Sequence, residues 1–370
     1  MSWKIGGNRP AAVGGNVPHG KLHCGVGYDE AMPEAEVHSL VIGRDAMGCR
    51  FEVVFNAGEV PEATELGIAV LDCVDAIEAR ISIYRESSEL ARINADAGAW
   101  VAVAPDTCAM LSLARELHAR TAGGFDIAAG SLVKAWGFLE RQGRTPDPAA
   151  LAAARAVSGT PLMELDEAGC RVRVRATGTA LNPGGIGKGW AIDRGMNLLA
   201  AAGVPSVLVH GGQSSVRAIG TQGPSIPGRS GWKIGVRHPL RPGRQLASIT
   251  LRDRALGTSG SGTQFFIEHG RRLGHILDPR TGQPAEGVLS ATVLAGSAAE
   301  ADALATAAYV LGTDGLPMVA PPGGSAGAIL VMPDRGGGLR VVIANLDEDA
   351  VAIAPEPGLT VEWLPSTPAN

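Results

Sequence analysis

"ALNPGGIGKGWAIDRG", residues 180–195, decides how this chain is read. Glycines at 184, 185, 187 and 189 surround Lys188, and the residues beyond can run on as a helix. A glycine loop opening a helix suits phosphate, because bare backbone N–H groups and the helix N-terminus both favour an anion. Yet neither common phosphate-loop pattern fits. A Walker loop places Ser or Thr straight after its lysine to hold magnesium, and here Gly189 follows. A dinucleotide fingerprint wants an acidic residue about 20 residues on, where this chain reads "VLVHGGQSS". Lys188 can meet phosphate as a point charge or be an ordinary solvated lysine. If phosphate binds here, its metal comes from elsewhere in the chain.

Working outward, "PLMEL" and "CRVRVRA" flank a turn at 166–169, and Val172 and Val174 alternate with Arg171, Arg173 and Arg175 as in a half-exposed strand. On the other side "SVLVH" reads as a buried strand, and "GVLSATVLA" as a strand leading into the helix "SAAEADALATAAYVLG". "GAILVM" and "LRVVIAN" form a closing hairpin. Upstream, "FEVVF" is strand-like, helical spacing runs through 61–84 and 105–121, and Asp147-Pro148 starts a third, short helix. Strands and helices mix without regular alternation and several strands meet across short turns. That predicts an α+β fold of mixed, largely antiparallel sheets packed with helices. One domain is expected over 39–346, after a poorly ordered Gly/Pro-rich extension over 1–38 and before an irregular tail over 347–370. The segment "GTQGPSIPGRSG" is expected to be irregular too.

Bulk properties narrow the function. In 370 residues, Lys plus Arg number 32 and Asp plus Glu 37, so the net charge of −5 argues against nucleic acid as a partner. The five cysteines (Cys24, Cys49, Cys73, Cys108, Cys170) have no metal-ligand spacing, which argues against a structural zinc and a disulfide framework. Cys73 and Cys108 read as small core residues. The uncharged stretches 195–216 and 315–333 are broken by Gly and Pro, so no transmembrane segment is expected. The first 38 residues hold no apolar run and no cleavable signal pattern. As written, the sequence is expected in the cytoplasm; a misplaced start would leave room for a periplasmic or membrane-anchored protein.

Two further motifs bear on chemistry. In the helix capped by Ser297 and ended by Gly312, Asp302 and Thr306 lie four residues apart on one face, about 6 Å along the axis. A carboxylate and a hydroxyl so placed are hard oxygen donors, the kind magnesium takes alongside substrate phosphate. The plain alternative is an acid favouring the helix dipole and a Thr bonding its own preceding carbonyl. In "RRLGHILDPRTGQPAEG", His275 precedes a stiff turn, 278–282, where a general base could be held in place; equally, it could be a strand residue before a loop.

Taken in order, "AMGCRFEVVF", "ISIYRESSELARIN", "GGFDIAAGSLVKAWGF", "LNPGGIGKGWAID", "LVHGGQ", "GTSG", "GHILDPRTGQP" and "ADALATAAYVLG" resemble one family, the FAD:protein FMN transferases or ApbE flavin transferases. The resemblance covers roughly residues 41–345. It implies an ApbE-like fold with FAD bound between two halves, and Mg2+-dependent transfer of FMN from FAD to a Thr or Ser hydroxyl of an acceptor flavoprotein subunit, releasing AMP. It also implies that Asp302, Thr306 and the backbone carbonyl of Gly187 hold the metal, which would answer the question raised by Gly189. His275 matches the catalytic histidine, and Asp278 and Arg280 would hold its turn. Met47, Tyr84, Asp126, Gly185, Ile186, Lys188, Ser259 and Gly260 fall in the segments that contact FAD. The chain departs from the family pattern at Cys49 (usually Thr), Asp126-Ile127-Ala128 (usually "DPT"), Gln213 (usually acidic) and Ser261-Gly262 (usually an aromatic). Gln213 would remove negative charge from the metal's surroundings. Two competing readings share the fold: an FAD pyrophosphatase releasing FMN and AMP, and a non-catalytic FAD-binding homologue.

Overall fold

Alternating apolar residues build a ten-stranded sheet whose strands lie side by side in chain order. The strands are Ala12–Val13, Ser39–Ala46, Cys49–Asn56, Val207–Gly211, Ser215–Ile219, Arg254–Gly260, Ser290–Ala295, Gly327–Pro333, Leu339–Ala344 and Leu359–Leu364. Neighbours pair antiparallel throughout, except the last two, which are parallel. The computed structural model describes residues 12–13, 38–223, 231–241, 243–260, 262 and 264–365.

The period of two sends successive side chains to opposite faces. Phe51, Val53, Phe55, Val207, Val209 and Val293 join the core on one face, where the helices Ala63–Ile81, Gly187–Ala201 and Ala298–Leu311 also pack. Val54, Leu208, Val216, Leu256 and Leu294 face the other way, onto a small sheet of Trp232–Arg237, Gln245–Leu251 and Val351–Ile353. The result is three layers: helices, large sheet, small sheet. Each fully buried Phe or Leu stabilises this arrangement by about 1.5–3 kcal/mol.

Two excursions from the sheet matter for function. Between Asn56 and Val207 the chain makes the helices from Ala63 to Ala201 and a small sheet of Val101–Ala102, Met163–Asp166 and Arg171–Val174. Between Gly260 and Ser290 it makes a hairpin, Phe265–Glu268 with Arg271–Gly274, that ends at His275.

The helix Ala298–Leu311 is held unusually close to its neighbours because two facing positions carry no side chain. A Cβ on Gly257 would come within 2.5 Å of the Ala301 carbonyl, and one on Gly189 within 2.1 Å of the Ala298 carbonyl oxygen. Both contacts are with backbone, so neither relaxes by turning a side chain. These two glycines therefore fix where Asp302 stands.

The α+β expectation holds, as do the closing hairpin and the half-exposed strand Arg171–Val174. Asp147 caps the short helix Pro148–Ala156 through Ala149 N and Ala150 N. Ser297 accepts from Glu300 N at 3.2 Å, but the Glu300 carboxylate turns to Arg120 at 2.7 Å, so only half of a capping box forms. The tail is a correction. Val351–Ile353 and Leu359–Leu364 are strands, and Leu359–Leu364 extends the large sheet with Arg340 paired to Glu362. Their runs are short and broken by Pro355, Pro357 and Gly358, so pairing with a preformed edge decides them. Ala12–Val13 pairs with Gly43 and Ile42 at the opposite edge. The rest of the expected extension up to residue 37, most of the 220–231 segment expected to be irregular, and Ser261 lie outside the described residues. Among the described residues, no helix is long and apolar enough to cross a membrane.

Candidate active site

The glycine loop and the Asp302 helix meet. Gly189 N–H donates to Asp302 Oδ2 at 2.8 Å, and a Cβ on Gly185 would lie 3.2 Å from Thr306 Oγ1. Thr306 Oγ1 also reaches its own Asp302 carbonyl at 3.1 Å and Ser259 Oγ at 3.2 Å. Asp302 is 6% exposed. Burial pushes its carboxyl pKa up and Asp193 adds to that, while the charge of Lys188 and the hydrogen bond from Gly189 N–H oppose it. A buried carboxylate in this position calls for a cation beside it. With Thr306 and the loop's main chain, it forms an oxygen-only donor set suited to a hard divalent ion.

Lys188 ties the site together electrostatically. Its charge acts on Asp302, on the Cys49 thiol and on His275. Cys49 follows the two-residue turn Met47-Gly48, where both φ values are positive (49° and 73°), as a tight hairpin requires. Ile81, at the end of the helix Ala63–Ile81, packs on Gly187, and Tyr84 stands three residues further on, 73% exposed. Such an exposed aromatic is free to stack on a planar ligand.

His275 is held by the hairpin's own backbone. Its Nδ1 lies 3.0 Å from the Gln264 carbonyl oxygen, and its N–H donates to the same oxygen at 3.2 Å. Because a carbonyl only accepts, Nδ1 carries the proton and Nε2 keeps its lone pair. Burial lowers the imidazole pKa and Lys188 lowers it further, against the Gln264 bond. Phe138 sets its ring edge-on, with centroids 6.4 Å apart. In the following turn Asp278 accepts from Arg280 N and Nε at 2.9 Å and from Nη2 at 2.8 Å, so this pair does brace the turn.

Three expected residues stand differently. Gly187 is the first residue of the helix Gly187–Ala201, and its open side meets Ile81 and Pro183. A carbonyl there points along the helix toward residue 191, so Gly185 is the loop residue against Thr306. Asp126 is occupied inside the protein, accepting from Ala128 N (2.8 Å), Thr160 N (3.0 Å), Thr160 Oγ1 (2.7 Å) and His118 Nε2 (3.2 Å). Burial works against its charge, but the His118 and Thr160 bonds outweigh it and lower its pKa. Asp126 therefore braces its own segment. Ile186 is fully buried, so only its main chain can face a ligand. Ser259 stays beside Thr306, with Gly260 next along the same strand.

Sequence reasoning missed Asp193. Its carboxylate accepts from Ala298 N and Ala299 N, both at 2.9 Å, and pairs with Arg217. It thus caps the helix that carries Asp302. The signal was present: Asp193 is four residues after Gly189, on the same helical face.

A sequence profile described as the ApbE family matches residues 47–329. The chain belongs to the ApbE family. An FAD:protein FMN transferase of Treponema pallidum is 32% identical over 330 residues, covering 84% of this chain and 89% of the relative. One of Rhodobacter capsulatus is 34% identical over 253 residues, covering 66% of this chain but 46% of that longer protein. Among solved structures, the ApbE protein of Thermotoga maritima superposes with a TM-score of 0.72 at 30% identity, covering 81% of this chain and 96% of that one. The superposition agrees with the mixed, largely antiparallel fold described above.

Proposed function

We propose that this ApbE family member transfers the FMN moiety of FAD to a Thr or Ser hydroxyl of an acceptor flavoprotein subunit, releasing AMP, with magnesium bound at Asp302. One observation carries the reading: Asp302 and Thr306 lie directly against the glycine loop at Gly189 and Gly185. Magnesium held by the Asp302 carboxylate, the Thr306 hydroxyl and the main chain at Gly185 would neutralise charge on the pyrophosphate. Gly187, the carbonyl implied by family resemblance, is replaced in this role by Gly185. Lys188 meets the phosphates as a point charge. The acceptor oxygen attacks the FMN phosphorus, the bond to the AMP oxygen breaks, and His275 Nε2 takes the hydroxyl proton. Met47 and Tyr84 line the flavin end, and Ser259 and Gly260 sit beside the metal position.

The test is to incubate the purified protein with FAD and magnesium, with and without a candidate acceptor, and to measure acceptor mass and free AMP. A single FMN adduct on Thr or Ser, together with AMP, is expected, and it should vanish in Asp302→Asn and His275→Ala. FMN and AMP without an adduct would instead indicate a pyrophosphatase. Bound but intact FAD would make the protein a non-catalytic binder.

A further inference from the structure

The hairpin that delivers His275 also walls a cavity of about 410 Å3, which the proposed transfer leaves unused. Trp136, Leu273 and Pro284 give it an apolar side, and Glu268, Arg271 and Glu286 give it charge. Its walls are well braced. The strands Phe265–Glu268 and Arg271–Gly274 pair across the tight turn His269-Gly270, where both φ values are positive (48° and 75°). The rings of Trp136, Phe266, Phe138 and His275 form a row, with centroids 6.3, 5.9 and 6.4 Å apart. Pro284 bridges to Leu277, and Ala285 N–H donates to the Ile276 carbonyl at 2.9 Å, which ties that wall to the segment after His275. Side chains alternate between the faces of a strand, so Arg271, Leu273 and His275 share one face, and Glu268 lies opposite Arg271. Arg272 takes the other face, over the Phe265 ring at 3.8 Å. The charges in the cavity are unevenly matched. Arg271 Nη2 lies 2.6 Å from Glu286 Oε1, so those two answer each other. Glu268 accepts from the Thr145 hydroxyl, and among the described residues no cation pairs with it.

We propose that this pocket takes a lysine or arginine side chain of the acceptor protein, carried close in sequence to the Thr or Ser that receives FMN. The inference rests on the transfer reading above and adds how the acceptor is chosen. A basic side chain has an aliphatic stem and a charged head. The stem lies on Trp136, Leu273 and Pro284, and the head makes a charge-assisted hydrogen bond to the Glu268 carboxylate. An acidic side chain would meet two carboxylates, with the one guanidinium already paired. An uncharged one would leave Glu268 with Thr145 alone. The site therefore selects by the sign of charge. The hairpin also sets a spacing. From Arg271 to His275 is roughly 13 Å along a strand, and the acceptor hydroxyl is brought to His275 Nε2. An extended acceptor segment covers that distance in about four residues, which places the basic residue about that far from its Thr or Ser.

Short fluorescein-labelled peptides of Gly and Ala around a single Thr would carry Lys, Ala or Glu at that spacing, on either side. Anisotropy with the full-length protein reads peptide binding. Peptide mass after incubation with FAD and magnesium reads FMN transfer, and flavin fluorescence reads FAD binding. A Lys peptide should bind at least tenfold tighter than its Ala and Glu counterparts. Glu268→Gln should remove that preference, and Glu268→Lys should reverse it in favour of the Glu peptide, with FAD binding unchanged in both variants. Equal binding of the Lys, Ala and Glu peptides would overturn the proposal. So would a lysine preference that survives Glu268→Lys. A lysine preference without any FMN adduct would uphold the pocket and count against the transfer reading instead.

Discussion

Gly189→Ala is the sharpest perturbation this structure offers. The new methyl would sit 2.1 Å from the Ala298 carbonyl oxygen, 2.3 Å from its carbon and 2.6 Å from Ala299 N, all of them backbone. Ordinary carbon contacts are about 3.5–4 Å, so the helices Gly187–Ala201 and Ala298–Leu311 must part by roughly 1 Å or more. Overpacking of this kind costs about 1–3 kcal/mol. The movement also breaks the 2.8 Å bond from Gly189 N–H to Asp302, and a hydrogen bond to a charged group contributes about 1.5–3 kcal/mol. The sum, about 2.5–6 kcal/mol, is a large share of the ~5–15 kcal/mol that holds a typical domain together. Asp302 and Thr306 move with their helix, and a displacement of that size costs about a hundredfold in rate. Urea unfolding followed by tryptophan fluorescence reads the first effect, and FMN transfer at saturating FAD reads the second. A Gly189→Ala protein with the wild-type midpoint and rate would refute the account of how loop and helix are joined.

Asp193→Ala strips two N–H groups of their cap and leaves Arg217 without its carboxylate. A loss of about 3–5 kcal/mol in urea unfolding is expected, with Asp193→Asn intermediate. His275 is held below the ordinary imidazole value, first by burial and then by Lys188. The folded state therefore binds its proton later than the unfolded chain as the pH falls. The stability contribution is full above the unfolded value of about 6.5 and is lost as the pH falls through the lower folded value. The acid limb of the transfer rate should likewise lie below about 6.5, and Lys188→Met should move it upward. Magnesium is expected to bind together with FAD, because one carboxylate and substrate phosphates make a site that neither completes alone. Calorimetry should show FAD raising magnesium affinity at least tenfold, and Asp302→Asn should abolish that linkage.

What the sequence made legible was whatever depends on local pattern: alternating strands, the glycine loop, the acid and hydroxyl four residues apart, and a histidine before a stiff turn. What it hid depends on partners far along the chain. Nothing near Asp126 announces that Thr160 and His118 will take up its oxygens. Gly185 and Gly187 look alike as letters. They differ because the helix begins at Gly187 and turns that carbonyl away. The same logic applies to the departures from the family pattern. Gln213 was expected to weaken the metal's surroundings by removing a charge, yet its side-chain oxygen accepts from Arg237 in the small sheet. An acid at 213 would meet that same guanidinium and spend its charge there. Cys49 is the departure that faces the site, packed against Gly212 and within the field of Lys188 and Asp302. Of the two, Cys49 is therefore the substitution that should alter FAD handling, while Gln213 acts through the position of its hairpin.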